Sequence, residues 1–182
     1  MQSVKIEIRA VLSDQGGKII KRYPWKRANS LLKQFILFLH LFMGQVAQTI
    51  KDTGGTDRAV GGYTGNLGVN AAAANTLFGI VIGTGETPVT MTDNKLQTQV
   101  TTNVAHAVTT VATESPDTST WRIAVSRSLT NNTGATLSVK EAGLYAIATA
   151  SAWYFCIDRT LYAVDVPSGL VLTLTYRITI SL

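Results

Sequence analysis

A chain of 182 residues, 46% apolar, is long enough for one domain with a true core, and its 15% charged content falls well below the about 25% of an average soluble protein. Such a Thr-, Ser-, Asn- and Gly-rich composition fits either surfaces covered by neighbouring subunits or a weakly soluble monomer, and the lone Cys156 excludes an intrachain disulfide. The net charge of +5 is unevenly placed: residues 1–58 hold ten of the sixteen basic and four of the eleven acidic residues, so the rest of the chain is slightly acidic.

Met1 to Glu7 alternates like a strand and lacks the basic-then-apolar order of a secretory signal, so synthesis in a cytoplasm without sorting is expected. Val4, Ile6, Ile8, Ala10 and Leu12 continue that alternation, Asp14-Gln15-Gly16-Gly17 reads as a hairpin turn, and Lys18 to Trp25 returns as the partner strand. Asn29 or Ser30 is the expected N-cap of a substantial helix carried by Leu31, Leu32, Phe35, Phe38, Leu39, Phe42 and Val46 to about residue 50. Lys33, Gln34, His40 and Gln45 interrupt it well short of the roughly 20 apolar residues a bilayer requires, so no membrane span is expected. Residues 51–75, with paired glycines and Ala71 to Ala74, read as a loop or arm following the hairpin and helix of residues 1–50.

The body, residues 76–182, reads as strands. Thr76 to Ile82 is apolar and ends at Gly83-Thr84-Gly85-Glu86-Thr87-Pro88; Thr92-Asp93 opens a short helical turn toward Val100. Further strands are expected at Val104–Ala112, Trp121–Leu129, Leu137–Val139, Gly143–Thr149, Trp153–Ile157 and Leu161–Val166. The last is the longest: in Leu170 to Ile180 every even position is apolar, opposite Thr173, Thr175, Arg177 and Thr179. Many short strands with turns between them and one helix predict a mainly β protein, an antiparallel, jelly-roll-like β-sandwich of one domain overall.

Candidates for chemistry are sparse. Gly83-x-Gly85 lacks the third glycine of a dinucleotide loop, position 88 being Pro. His40 and His106 have no ligand-spaced neighbours; Glu114 and Asp117 flank Pro116 in an expected turn, and Asp158 and Asp165 bracket a strand as turn or surface residues. Ser126 and Ser128 lack a nucleophile elbow, so neither catalytic residues nor a cofactor or metal are expected. The basic, aromatic segment Lys21, Arg22, Tyr23, Trp25, Lys26, Arg27 is the one candidate site. Such a mixture suits a protein contact, an aggregation-resistant sheet edge or, ranked below them, a nucleic-acid backbone.

Three stretches in order, Gly83-Thr84-Gly85 with Thr90-Met91-Thr92-Asp93, then Lys140-Glu141-Ala142-Gly143-Leu144-Tyr145, then Val166-Pro167-Ser168-Gly169 leading to Leu172, Leu174 and Tyr176, resemble virion structural proteins of tailed bacteriophages. The resemblance spans residue 76 to the end. It implies a non-enzymatic β-sandwich subunit of a symmetric homo-oligomer in the tail, neck or collar, or capsid-associated layer, located in the virion and made in the host cytoplasm. Its partners would be copies of itself and other virion proteins. The alternative is a tail-fibre-type module binding host-surface carbohydrate, for which Trp121, Trp153 or Tyr63 would offer stacking platforms.

Overall fold

The computed structural model describes residues 3–28, 32–44, 46–61, 67–148 and 152–181, so the expected N-cap at Asn29 or Ser30 and the aromatic Tyr63 lie outside the described residues. Alternation in the opening segment produces β1 (Ser3–Ser13), and the turn closes where Gly17, at φ 85°, donates its N–H to Asp14 O at 3.1 Å. The return strand is split into β2 (Ile19–Arg22) and β3 (Lys26–Arg27) around Pro24, which has no N–H to give a ladder. Next come α1 (Lys33–Gly44), β4 (Gln48–Lys51), β5 (Asp57–Val60), β6 (Leu67–Gly68), β7 (Gly79–Gly83), β8 (Val104–His106) and β9 (Thr110–Asp117). Four long strands complete the chain: β10 (Thr120–Asn131), β11 (Leu137–Ala148), β12 (Trp153–Val166) and β13 (Val171–Ser181).

Among the described residues these strands form two main antiparallel sheets. The larger runs β2-β1-β13-β10-β8, with β3 also on β1 and β9 also on β10; the smaller runs β12-β11-β6, with β7 also on β11. Strand β13 lies at the centre of the larger sheet, paired along its whole length with β1 on one side and β10 on the other. The registers bring Ile8, Tyr176 and Val125 into one row and Leu12, Leu172 and Leu129 into another. These buried rows share one core with Val139, Leu144 and Ala146 of β11 and with Phe155, Ile157 and Val164 of β12, which makes the molecule the expected mainly β, antiparallel sandwich. Helix α1 contributes Phe38 and Leu41, and the β4–β5 hairpin contributes Ile50 and Val60, to the same core. The other face of the smaller sheet is covered too: Val81, Tyr145 and Cys156 pack under Leu32 and Leu96. Burial there pushes the Cys156 thiol up, so it stays protonated as a small packing residue.

Several boundaries differ from the sequence expectation. The helix ends at Gly44, 12 residues long: Val46 is exposed in the connection that follows, and Ile50 belongs to β4, where it is buried in a hairpin with β5 rather than by a helical face. Residues 51–75, expected as a loop or arm, contain β5 and β6; Ala71 is buried and its carbonyl accepts the Thr109 N–H at 2.8 Å. Val104–Ala112 is two strands, β8 and β9, and Glu114 to Asp117 lies within β9 rather than in a turn. The turn opened by Thr92-Asp93 is not helical: Gln99 bridges to Gly83, and Val100 N–H reaches Ile82 O at 2.9 Å, so the segment runs extended beside β7. Asp158 and Asp165 do not bracket a strand; Asp158 sits inside β12, buried, and accepts the Thr160 hydroxyl at 2.9 Å.

Candidate functional site

The motif residues of the sequence converge on one buried cation that sequence reasoning missed, Arg159 of β12. Its Nε donates to Glu141 Oε2 and its Nη1 to Asp93 Oδ2, both at 2.7 Å, while Nη2 donates to Thr87 O at 3.0 Å. Glu141 is fully buried, and its other bonds come from the backbone N–H groups of Gly85, Gln97 and Thr98 at 3.2, 3.1 and 2.8 Å. Gly83 and Gly85 are required by crowding: a Cβ would fall 2.5 Å from Thr98 O at position 83, and 2.5 Å from Gln97 Cβ and Glu141 Oε1 at position 85. Asp93 closes the turn before it, accepting Thr90 N–H at 3.1 Å; burial opposes its ionisation, but the bonds from Thr90 and Arg159 prevail and hold its pKa below the usual value. Tyr145 accepts the Leu96 N–H through its hydroxyl, and burial keeps that phenol protonated. These bonds fasten residues 84–98 to the smaller sheet, so the centre acts as a clamp.

A second buried cation, Arg127 of β10, has no carboxylate within ion-pair distance among the described residues. Its five N–H donors go to the carbonyls of Ala107, Phe78, Ile80, Ala72 and Asn75 and so fix the β6–β7 loop, the β8–β9 loop and β7 at once. Burial and the nearby Arg127 charge lower the pKa of His106, whose Nδ1–H donates to Val104 O at 3.0 Å; its Nε2 has no partner among the described residues. His40 is exposed on α1. Among the described residues no group of three His, Cys, Asp or Glu gathers at metal-binding spacing.

The candidate segment Lys21 to Arg27 divides between two surfaces. Register places Arg22 opposite Val11 and Arg27 opposite Glu7, on the outer face of the larger sheet, and Lys21 opposite Leu12 and Lys26 opposite Ile8, toward the smaller sheet. Lys26 Nζ donates to Leu161 O at 3.0 Å, and Lys21 covers the Tyr23 ring at 4.6 Å, along a groove floored by Tyr162 and Ala163. Trp25 belongs to the outer face, where the guanidinium groups of Arg9 and Arg177 lie over its ring at 4.5 Å and 4.4 Å. Arg177 also pairs with Glu114 at 3.1 Å and Lys5 with Glu7 at 2.6 Å, whereas no carboxylate lies within ion-pair distance of Arg9, Arg22, Arg27 or Arg122 among the described residues.

The inner face of the larger sheet has an unfinished end. The row Ile6–Ile178–Ile123 and the next pair, Ile180 and Trp121, keep the inward parity of the core. Yet Trp121 is 62% exposed, Ile180 49% and Ile123 44%. Thr113 and Arg122 complete a shallow, almost wholly apolar pocket around them, and Val111, facing the same side opposite Val125, is exposed beside it. Helix α1 exposes Ile36, Leu39, Phe42 and Met43 as well. Of the predicted stacking platforms, Trp121 lies among these aliphatic side chains, and Trp153 is half-buried with Arg58 5.3 Å over its ring.

Comparison with protein-family models, with curated proteins and with solved structures finds no match to this chain. Among the described residues no helix is long and apolar enough to cross a membrane, which leaves membrane crossing by strands unaddressed.

Proposed function

We propose that the chain is a non-enzymatic structural subunit of a tailed-phage virion, joining copies of itself into a symmetric homo-oligomer of the tail, neck or collar, or capsid-associated layer. The observation that carries the assembly reading is the open end at Trp121, Ile123 and Ile180, where apolar alternation continues on two neighbouring strands after the covering layer stops. A monomer has no use for that pattern, since exposing contiguous apolar rows invites association. Large apolar side chains exposed on α1 add to the area a neighbour would cover. The virion setting rests on the ordered motifs, whose residues Gly83, Gly85, Asp93, Glu141 and Tyr145 act together in fastening one segment to the sandwich. The carbohydrate-binding alternative draws on the exposure of Trp121, but the aliphatic surroundings of that ring offer few of the hydrogen-bonding groups a sugar requires.

The test is the mass in solution, by light scattering and sedimentation, of the native chain and of a Trp121→Ser/Ile180→Ser variant. A discrete oligomer is expected for the first and a monomer with an unchanged circular-dichroism spectrum for the second. A native chain that stays monomeric at high concentration, or a variant that keeps the full oligomeric mass, refutes the assignment of this surface.

A further inference from the structure

We propose that the outer face of the larger sheet, centred on Trp25, docks a carboxylate-rich surface of a protein other than this chain. The face carries Lys5, Arg9, Arg22, Arg27, Arg122 and Arg177 against Glu7, Glu114 and, at the end of β9, Asp117, a surplus of three positive charges on one side of one sheet. Beside this stripe, the paired hydroxyls of Ser126 with Thr175 at 2.9 Å and Ser128 with Thr173 at 2.8 Å continue the surface without charge. Charge complementarity therefore calls for an anionic occupant.

Three features favour a protein over a nucleic acid. The Trp25 ring is already engaged by two guanidinium groups, those of Arg9 and Arg177, which compete with a base for stacking on it. Five of the six cations are Arg, whose planar fork pairs with carboxylates through two parallel bonds, and Arg with Trp is the composition of protein-interface hot spots. The cations also stand side by side on neighbouring strands of one sheet, β1, β2, β3, β10 and β13, rather than along a single strand or loop.

A second copy is a poor occupant. Of the eleven acidic residues, Asp52, Asp93, Glu141 and Asp158 are engaged inside the molecule, and Glu7, Glu114 and Asp117 lie on the basic face itself. Asp57 and Glu86 hold Lys51 and Lys140. That leaves Asp14 and Asp165, in the β1–β2 turn and near the end of β12, too few and too far apart to match the stripe.

The experiment is a fluorescence-anisotropy titration of the whole chain with a labelled all-glutamate peptide and with single-stranded DNA of the same charge count, at low and at physiological salt. The variant is Arg22→Gln/Arg27→Gln, two exposed side chains without ion pairs whose loss leaves the Trp25 stack intact. The control, Lys33→Gln/Lys95→Gln, removes the same charge elsewhere on the surface. Expected are binding of the peptide in preference to DNA, weakening by salt, about tenfold loss in the arginine variant and less than about twofold in the control. Tighter binding of DNA, equal losses in the two variants, or no binding of the peptide overturns the proposal. So does an arginine variant that falls from oligomer to monomer, because the face would then be a joint between copies; the apolar-end variant tests that joint separately.

Discussion

Replacing Glu141 by Gln changes neither the size nor the shape of the side chain, yet it should be among the most damaging single substitutions in the protein. Oε1 accepts from the N–H groups of Gly85 and Thr98, and Oε2 from Gln97 N–H and Arg159 Nε. Whichever way the new amide is oriented, its NH2 faces two donors and leaves both without an acceptor. Each buried donor so stranded costs about 1–3 kcal/mol, and breaking a buried ion pair costs about 3–5 kcal/mol. Arg159 keeps Asp93, which places the expected loss at about 3–5 kcal/mol. For a chain of this size that lowers the melting temperature by roughly 10 °C, at roughly 2–4 °C per kcal/mol. Urea denaturation followed by circular dichroism measures it directly. The comparison is Glu86→Gln, which removes an exposed partner of Lys140 and should cost no more than about 1 kcal/mol. A Glu141→Gln protein within about 1 kcal/mol of the native chain would refute the view that this carboxylate clamps residues 84–98 to the smaller sheet.

Gly85→Ala should destabilise by about 1–3 kcal/mol, since its methyl group enters space held by Gln97 and the Glu141 carboxylate, whereas Gly16→Ala, whose nearest neighbour is 3.4 Å away, should be close to neutral in the same denaturation assay. His106 has a lowered pKa in the folded state, so the unfolded chain takes up a proton first as pH falls below the ordinary histidine range. Stability is then complete above that range and lost progressively below it, down to the folded pKa. His106→Asn should flatten the pH dependence of the urea midpoint in that window, and a variant that keeps the native slope would show that another group is responsible.

The alternation of β1 and β13 made the central pairing of the larger sheet legible, because half-buried strands write their register into every second residue. The clamp was legible only in fragments. Gly83, Gly85, Asp93, Glu141 and Tyr145 stood out as a set, but Asp158-Arg159-Thr160 looked like a polar break between two short strands. It is the middle of one long strand, since a buried charge whose partners lie 18 and 66 residues away gives no local signal. The same holds for Arg127, whose ligands are backbone carbonyls and so leave no trace in residue types. The helix was read too long for the converse reason: Val46 and Ile50 fit a helical spacing, and only pairing with β5 turns the second of them into a strand residue.

The apolar pattern in β13 holds one more piece of information. Leu172, Leu174 and Tyr176 are buried by the smaller sheet, but the alternation does not stop with them; it continues through Ile178 to Ile180, and β10 matches it with Ile123 and Trp121. A strand that ended its core at Tyr176 would tolerate Thr, Ser or Lys at the next two inward positions, as the outward positions of the same strand do with Thr173, Thr175 and Thr179. Periodicity thus records the full length of the buried face, while the fold of one chain accounts for only part of it. On the proposed assembly, the difference between the two is the area a neighbouring copy would cover, and it falls on a different side of the sheet from the arginine-rich face. A subunit with an apolar joint on one face and a cationic one on the other can meet its own copies and an acidic partner at the same time, without competition between them.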